Sequence, residues 1–255
     1  MSVSRNALSQ TRSIEIVHEG RALRGTRYGP DEPRAHILFA HGFSANRMGS
    51  GRMIVDFARR LAARGFALSA FDRAGHGESD GAFFDVAVPD EIAQLSAMVD
   101  SVPGPLHLVG HSLGGMELAT LAGRRPETVA SLTLWAPAAA SADEVARGEI
   151  LGRPMGRIDD DHPFDVEGQA LGPAFAAGFQ NYDPFQGLDA YAGPVHLHHG
   201  ESDAVVPPRY SHRYAEIWPQ AELTLYPGAD HGWSQLDTRR ALMAHSVRQI
   251  EAATR

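Results

Sequence analysis

Residues 106–118 read LHLVGHSLGGMEL, an apolar run that ends in two glycines flanking a serine. A buried strand normally avoids glycine, which packs nothing and gives up more backbone entropy on folding than any other residue. The backbone here must need something a side chain forbids. Gly110-His111-Ser112-Leu113-Gly114 fits the G-x-S-x-G turn, which presents a serine hydroxyl between a strand and a helix, and strand and helix patterns stand on either side of it. A side chain two residues before or after that serine would strike the neighbouring strand or helix. The hydroxyl would also sit at a helix N-terminus, where unpaired N–H groups and the helix dipole favour developing negative charge.

Such a turn demands alternating strands and helices, and the rest of the chain supplies them. SIEIVHE and ALRGTRY, joined around Gly20, predict an antiparallel hairpin, and AHILFAH (35–41) a strand buried on both faces. MIVDFARRLAARG (53–65) spaces its apolar residues as a helix and closes on glycine. Strands FALSAFD, PLHLVGH and VASLTLWAP then alternate with helices in PDEIAQLSAMVDSV and LGGMELATLAGRR. This pattern predicts an α/β fold, a doubly wound, mainly parallel sheet with helices on both faces.

From 138 to 183 the alternation stops in a stretch rich in Ala, Gly, Pro and acidic residues, too long for a structureless loop. An inserted cap is the economical reading. It divides the chain into core 1–137, cap 138–183 and core 184–255. Strands at 194–200 and 221–228, with helices at 208–218 and 234–254, complete the second part.

Composition narrows the chemistry. With no cysteine, thiol nucleophiles, disulfides, iron–sulfur clusters and thiolate zinc sites are excluded. All 23 basic residues are arginine, so a lysine base or Schiff base is excluded too. A net charge of -8 offers no general basic footprint for nucleic acid or an anionic membrane. The first twenty residues hold no apolar run like a signal-peptide core, and no later segment has membrane-spanning length, so a cytoplasmic protein is expected.

A serine hydroxyl needs a base, and the base an orienting carboxylate, arriving in chain order Ser, acid, His from loops after later strands. HLHHGESDAVVP places Asp203 three residues past Gly200, and LTLYPGADHGW places His231 in a glycine-rich loop. Glu201 and Asp230 are the rival acids; a helix cap is the other reading of Asp203. For the oxyanion of a tetrahedral intermediate, the backbone N–H of Leu113 and, from HGFSANR, that of Phe43 are the candidate donors, with Gly42 expected to permit a sharp turn.

Together, HGFSANR, FDRAGHGESDG, GHSLGG, APAA, HGESDAVVP and GADHGW resemble the serine α/β-hydrolases, particularly their cinnamoyl or feruloyl esterase branch, over residues 13 to 252. The resemblance implies Ser112 as nucleophile, His231 as general base, Asp203 as its orienting acid, and the N–H groups of Phe43 and Leu113 as oxyanion hole. It implies an eight-stranded sheet with a cap after the sixth strand, no cofactor or metal, and a small ester as the partner of a monomer or homodimer.

In this branch the cap shapes an aromatic acyl pocket, for which Phe164, Phe175, Phe179 and Tyr182 are the candidates, with Phe185 just beyond. Tyr182 alone among them carries a hydroxyl, and Glu144 or Asp143 offers a carboxylate instead. These rings would serve equally as the cap's own small core. His41, Phe43, His111, Val205 and Trp233 complete the candidate substrate contacts.

Thioesterases, monoacylglycerol lipases, lactonases, carbon–carbon hydrolases and acyltransferases share the same triad, whereas dehalogenases and epoxide hydrolases place a carboxylate where Ser112 stands. A non-catalytic receptor on this scaffold is the alternative of another class. His196, His198 and His199 and the run DDDH (159–162) lack a zinc-ligand spacing and read as buried strand histidines and a solvated loop. DRAGHGESDG (72–81) lacks the order of a phosphate cradle and is expected to line a wall near Phe43.

Overall fold

In the computed structural model, which describes residues 11–254, the alternating segments assemble into one eight-stranded sheet. Residues 1–10, read above as lacking a signal-peptide core, and Arg255 lie outside the described range. The strands are β1 (Thr11–His18), β2 (Arg21–Tyr28), β3 (His36–Ala40), β4 (Ala67–Phe71), β5 (Leu106–His111), β6 (Val129–Trp135), β11 (Val195–Gly200) and β12 (Glu222–Tyr226). They lie in the order β1-β2-β4-β3-β5-β6-β11-β12, antiparallel from β1 to β4 and parallel from there on. All five residues of β4 are buried, Ser69 among four apolar ones, as in a strand covered on both faces.

Helices cover the two faces. On one, α1 (Met53–Ala62) and α7 (Leu236–Ala253) pack Phe57, Leu61, Leu242 and Ile250 against Ile37, Phe39 and Trp135. On the other, α2 (Val88–Asp100), α3 (Leu113–Arg124) and α6 (Arg209–Ile217) pack Leu95, Leu118 and Tyr214 against Leu38, Leu108 and Leu197. In α1 the helical spacing turns Met53, Phe57 and Leu61 inward and leaves Arg59 and Arg60 in solvent.

Between β6 and β11 the chain forms α4 (Ala140–Ala146), the ribbons β7–β8 (Glu149–Ile150, Arg153–Pro154) and β9–β10 (Phe164–Val166, Gln169–Leu171), and α5 (Ala174–Gly178). Ile150, Phe164, Val166, Leu171, Phe175 and Phe179 bury themselves against Phe83, Val88, Ile92, Leu113 and Met116. These residues form a third apolar cluster at the carboxyl end of the sheet.

The strand histidines serve this packing. His198 is hydrogen-bonded to the Tyr226 hydroxyl and to Gln249, both at 2.9 Å, while His199 on the opposite face meets Ser211 at 2.6 Å. Burial pushes His198 down to about 3, with neighbouring His196 also disfavouring the charge. In DDDH, Asp159 accepts from the His162 ring at 2.9 Å within a local turn. Among the described residues, no helix is long and apolar enough to cross a membrane.

The step from β5 to α3 brings backbone close to backbone. Ser112 has φ 55° and ψ -123°, a conformation that non-glycine residues rarely hold. A Cβ on Gly110 would lie 2.6 Å from the Gly114 carbonyl oxygen, and one on Gly114 would lie 2.2 Å from that of His41. Both approaches are to backbone, which has nowhere to go. Gly114→Ala is expected to cost about 1–3 kcal/mol or more of folding stability in urea denaturation. Gly232→Ala, whose Cβ would meet nothing within 4 Å, should stay within about 0.5 kcal/mol of the parent. Equal effects of the two substitutions would contradict this account of the turn.

Candidate active site

Four backbone bonds hold Ser112 in its unfavourable conformation: its N–H donates to the Trp135 carbonyl at 2.9 Å, and its carbonyl accepts from Gly115, Met116 and Ala138. His231, in the loop after β12, brings Nε2 to 2.9 Å from the Ser112 hydroxyl oxygen. Its Nδ1 lies 2.7 Å from Oδ2 of Asp203, in the loop after β11. An ionised carboxylate only accepts, so Nδ1 carries the ring proton and Nε2 accepts from the serine.

Asp203 is 6% exposed and fully engaged. Oδ1 accepts from the N–H groups of Val205 at 2.9 Å and Val206 at 2.7 Å, and Oδ2 faces His199 Nε2 at 3.3 Å as well as His231. Burial opposes its ionisation, but hydrogen bonds from His199 and His231, then the charge of His231 and the Val206 N–H, outweigh it and hold the carboxyl well below the usual range. The rival acids are elsewhere: Glu201 is exposed, and Asp230 accepts from the Ser234 N–H at 2.8 Å.

Among the described residues, the N–H groups of Phe43 and Leu113 donate to no protein acceptor. Gly42 differs from its expected role. It is not in the left-handed region; a Cβ there would stand 3.1 Å from that of Ser112, so the glycine serves close approach and not a sharp turn. His41 also departs from its expected role, because both ring nitrogens are used inside the fold. Nε2 accepts from the Arg73 N–H at 3.2 Å, which leaves Nδ1–H to donate to the Gly42 carbonyl at 2.8 Å. His111 likewise donates from Nε2 to the His231 carbonyl at 2.9 Å, and burial followed by the nearby His231 pushes it down to about 3.

Two pockets meet at the Ser112 hydroxyl. One, of about 30 Å³, lies between Phe43, Leu113, Val145, Ile150, Phe175 and Val206, with Glu144 as its carboxylate and Val205 at its edge. The other, of about 120 Å³, is bounded by His41, Phe43, Met53, Ile54, His111 and His231. Both fall short of the roughly 300–1,000 Å³ of ordinary small-molecule sites. Phe175 stacks on Phe43 with ring centres 4.6 Å apart, and both rings line the first pocket.

Several candidate contacts lie outside both pockets. Trp233 is fully buried and meets Tyr226 edge-on in the core between the sheet, α1 and α7. The Tyr182 hydroxyl is bonded to Thr120 at 2.7 Å, and Phe164 lies under the Arg153 guanidinium, 4.5 Å from its centre. Phe179 packs edge-on to Phe175 and lines a separate apolar groove of about 530 Å³ on the far side of α4 and α5. Asp143 accepts from the Tyr210 hydroxyl at 2.6 Å, and Phe185 packs on Tyr214. Within segment 138–183, Phe164, Phe179 and Tyr182 thus pack on one another's neighbours and away from the two pockets, Phe179 also bounding the outer groove.

The loop 72–81 lines neither pocket. It braces the Phe43 loop from behind: Arg47 reaches both Asp72 and Glu78, and Arg73 is fully buried among Glu91, Glu117 and His41. Sequence reasoning passed over Arg73, Glu91 and Glu117, although a charge in the apolar run LGGMELATLA was a visible signal.

The family model described as "Serine aminopeptidase, S33" matches residues 31–158. Lipase LipV of Mycobacterium tuberculosis is 36% identical over 115 residues, 45% of this chain and 41% of that protein. The chain therefore spans less than half the length of that lipase. A pimeloyl-(acyl-carrier protein) methyl ester esterase of Neisseria meningitidis is 31% identical over 216 residues, covering 70% of this chain and 80% of the relative. Among solved structures, Est1E from Butyrivibrio proteoclasticus with ferulic acid bound superposes with a TM-score of 0.82 at 26% identity, covering 93% of this chain and 99% of that one.

The depressed Asp203 carboxyl has a signed consequence for stability. Its contribution is fully present above the unfolded value, near 3.9, and is lost as pH falls from there toward the lower folded value. Asp203→Asn lacks that contribution at every pH. The stability gap between parent and variant, measured in urea at several pH values, should hold steady from pH 7 to about 5 and narrow below about 4. A gap that widens on acidification would reverse the assignment of the ionised partner.

Proposed function

The chain belongs to the serine α/β-hydrolases, and from that premise we propose that it is a carboxylic ester hydrolase using Ser112, His231 and Asp203 on small aromatic, cinnamoyl-type or short-chain acyl esters. One observation carries the reading: the unbroken hydrogen-bond series Asp203–His231–Ser112 at 2.7 and 2.9 Å, beside two N–H groups with no acceptor among the described residues.

The chemistry follows from that series. Ser112 attacks the ester carbonyl while His231 Nε2 takes its proton, and the imidazolium so formed is stabilised by ionised Asp203. The N–H groups of Phe43 and Leu113 receive the oxyanion. Collapse of the intermediate leaves an acyl-enzyme as His231 returns the proton to the departing alcohol; water, activated by the same ring, then releases the acid. His111, kept neutral, holds the His231 backbone without adding charge beside the base.

In this reading 138–183 is a cap whose α4 and α5 roof the acyl pocket. The apolar wall of Phe43, Leu113, Val145 and Phe175 suits an aromatic or short acyl group, and the alcohol leaves on the side of Met53 and His111. An aryl acyl group enters as Phe175 swings off Phe43. Glu144 is the polar group to meet a ring hydroxyl; burial raises its carboxyl, against the hydrogen bond from the Leu151 N–H. The terminal groups of the substrate thus meet one carboxyl and the Ser141 hydroxyl in a mainly apolar space.

A second reading, a monoacylglycerol-type lipase, is favoured by the outer apolar groove, which shares Val145 with the inner pocket. The two separate on a panel of para-nitrophenyl esters of rising chain length with methyl ferulate, methyl cinnamate and methyl benzoate. Activity on aromatic or short acyl groups supports the first, and a maximum at long chains the second. Ser112→Ala should lower kcat by about 10³-fold or more without loss of folding, and wild-type-like turnover in that variant would falsify the triad. Glu144→Leu should raise KM for methyl ferulate about fivefold while leaving methyl cinnamate unchanged, in line with one lost hydrogen bond of about 1 kcal/mol. Equal effects on both esters would remove Glu144 from ring recognition.

A further inference from the structure

We infer that Arg73 is a positioning residue for the oxyanion hole, its buried guanidinium gripping the Gly42–Phe43 peptide from behind so that the Phe43 N–H is aimed at the reacting carbonyl. The inference rests on the esterase reading above and adds a residue to it.

The geometry begins with the peptide itself. A trans peptide points its C=O and N–H in opposite directions, so whatever fixes the Gly42 carbonyl also aims the Phe43 N–H. Arg73 Nη2 donates to the Gly42 carbonyl at 3.3 Å, Nη1 donates to the His41 carbonyl at 2.8 Å, and the Arg73 N–H donates to His41 Nε2 at 3.2 Å. His41 Nδ1–H is thereby committed to the same Gly42 oxygen at 2.8 Å, and the Ala45 N–H approaches it at 3.4 Å. Three donors, one of them cationic, converge on one carbonyl. They orient the amide and also polarise it, which strengthens the N–H on its other side.

A buried cation needs a counter-charge, and the fold supplies it from two helices. Arg73 and Glu117 are completely buried and Glu91 is 1% exposed. Arg73 Nε is bonded to Glu91 of α2, and Nη1 lies 3.6 Å from Glu117 of α3. Burial, and then the charge of Glu91, push the Glu117 carboxyl well up even against Arg73, whereas Arg73 holds Glu91 ionised despite its burial. The cation thus pairs chiefly with Glu91, while Glu117 is the carboxyl that burial disfavours most in its charged form. The neighbouring His76, 3.8 Å from Glu91, is lowered chiefly by burial and adds no charge. Arginine is required by this arrangement, because only a fork of donors reaches two carbonyls and a carboxylate together.

The test separates positioning from folding. Arg73→Lys keeps the buried charge and loses the fork; the double variant Arg73→Met/Glu91→Gln removes the ion pair and leaves no lone buried charge. Each is assayed on the best ester of the panel for kcat and KM, for active serine by fluorophosphonate titration, and for inhibition by a matching trifluoromethyl ketone, whose serine adduct carries the oxyanion. Per titrated site, both variants should lose about 10- to 100-fold in kcat, below the 10²- to 10³-fold of deleting a donor outright. KM should stay within about twofold, and ketone affinity should fall by the same factor as kcat.

Unchanged kcat and ketone affinity per active site, with only thermal stability or yield reduced, would overturn the inference and leave Arg73 a fold-stabilising residue. Wild-type protein that neither turns over esters nor reacts with the fluorophosphonate would overturn the esterase reading itself, a result distinguishable because it appears before any Arg73 variant is made.

Discussion

The backbone of Gly114 meets the carbonyl of His41 at a distance that leaves no room for a β-carbon, and much of the molecule is organised around that approach. It presses the first turn of α3 onto the end of β3, so that two segments seventy residues apart in sequence share one surface. Of the two oxyanion candidates, Leu113 adjoins Gly114 and Phe43 lies two residues beyond His41. Ser112 takes its positive-φ turn beside this approach, and the bonds that it donates to the Trp135 carbonyl and accepts from the Ala138 N–H tie that turn to the end of β6. Strain at one residue is held by contacts spread over three strands.

Polar groups buried behind this contact form two separate systems with opposite tasks. Around His231, Asp203 is held by three hydrogen-bond donors, with His199 Nε2 close by at 3.3 Å, and faces the Ser112 side. Around Arg73, charge is balanced internally and turned away from the pockets, acting on the reacting atoms only through a peptide bond. Low dielectric makes any unmade partnership costly; the Asp203 oxygens are all engaged, whereas Glu91 and Glu117 keep buried carboxyl oxygens without a hydrogen-bond partner among the described residues. Neutral histidines separate them: His41 and His111, each pushed down by burial, transmit position without adding charge to either system.

The segment from α4 to α5 obeys a different logic. It has little regular structure and buries its apolar rings on one another and on Phe83 and Met116, which makes its stability depend on the body it covers. Phe175 bridges the two roles, since it belongs to that cluster and also stacks on Phe43 beside the serine. A ring so placed couples entry of an acyl group to the packing of the segment.

How much was legible before folding divides along locality. The sheet, its helices and the Ser112 turn were readable from residues 106–118 and the alternation around them, because periodicity and the steric needs of glycine act over a few residues. Asp203 and His231 were readable as well, since the order of strands assigns loops to the same sheet edge. The sequence left open which aromatic rings reach the pocket. Phe164, Phe179, Tyr182 and Trp233 share their chemistry with Phe175, and only tertiary packing turned them into core while leaving Phe175 beside Phe43. It also left open the company of Arg73, His41, Glu91 and Glu117, which come from four separate elements. A buried charge is defined by what surrounds it, and those surroundings exist only once the chain has folded.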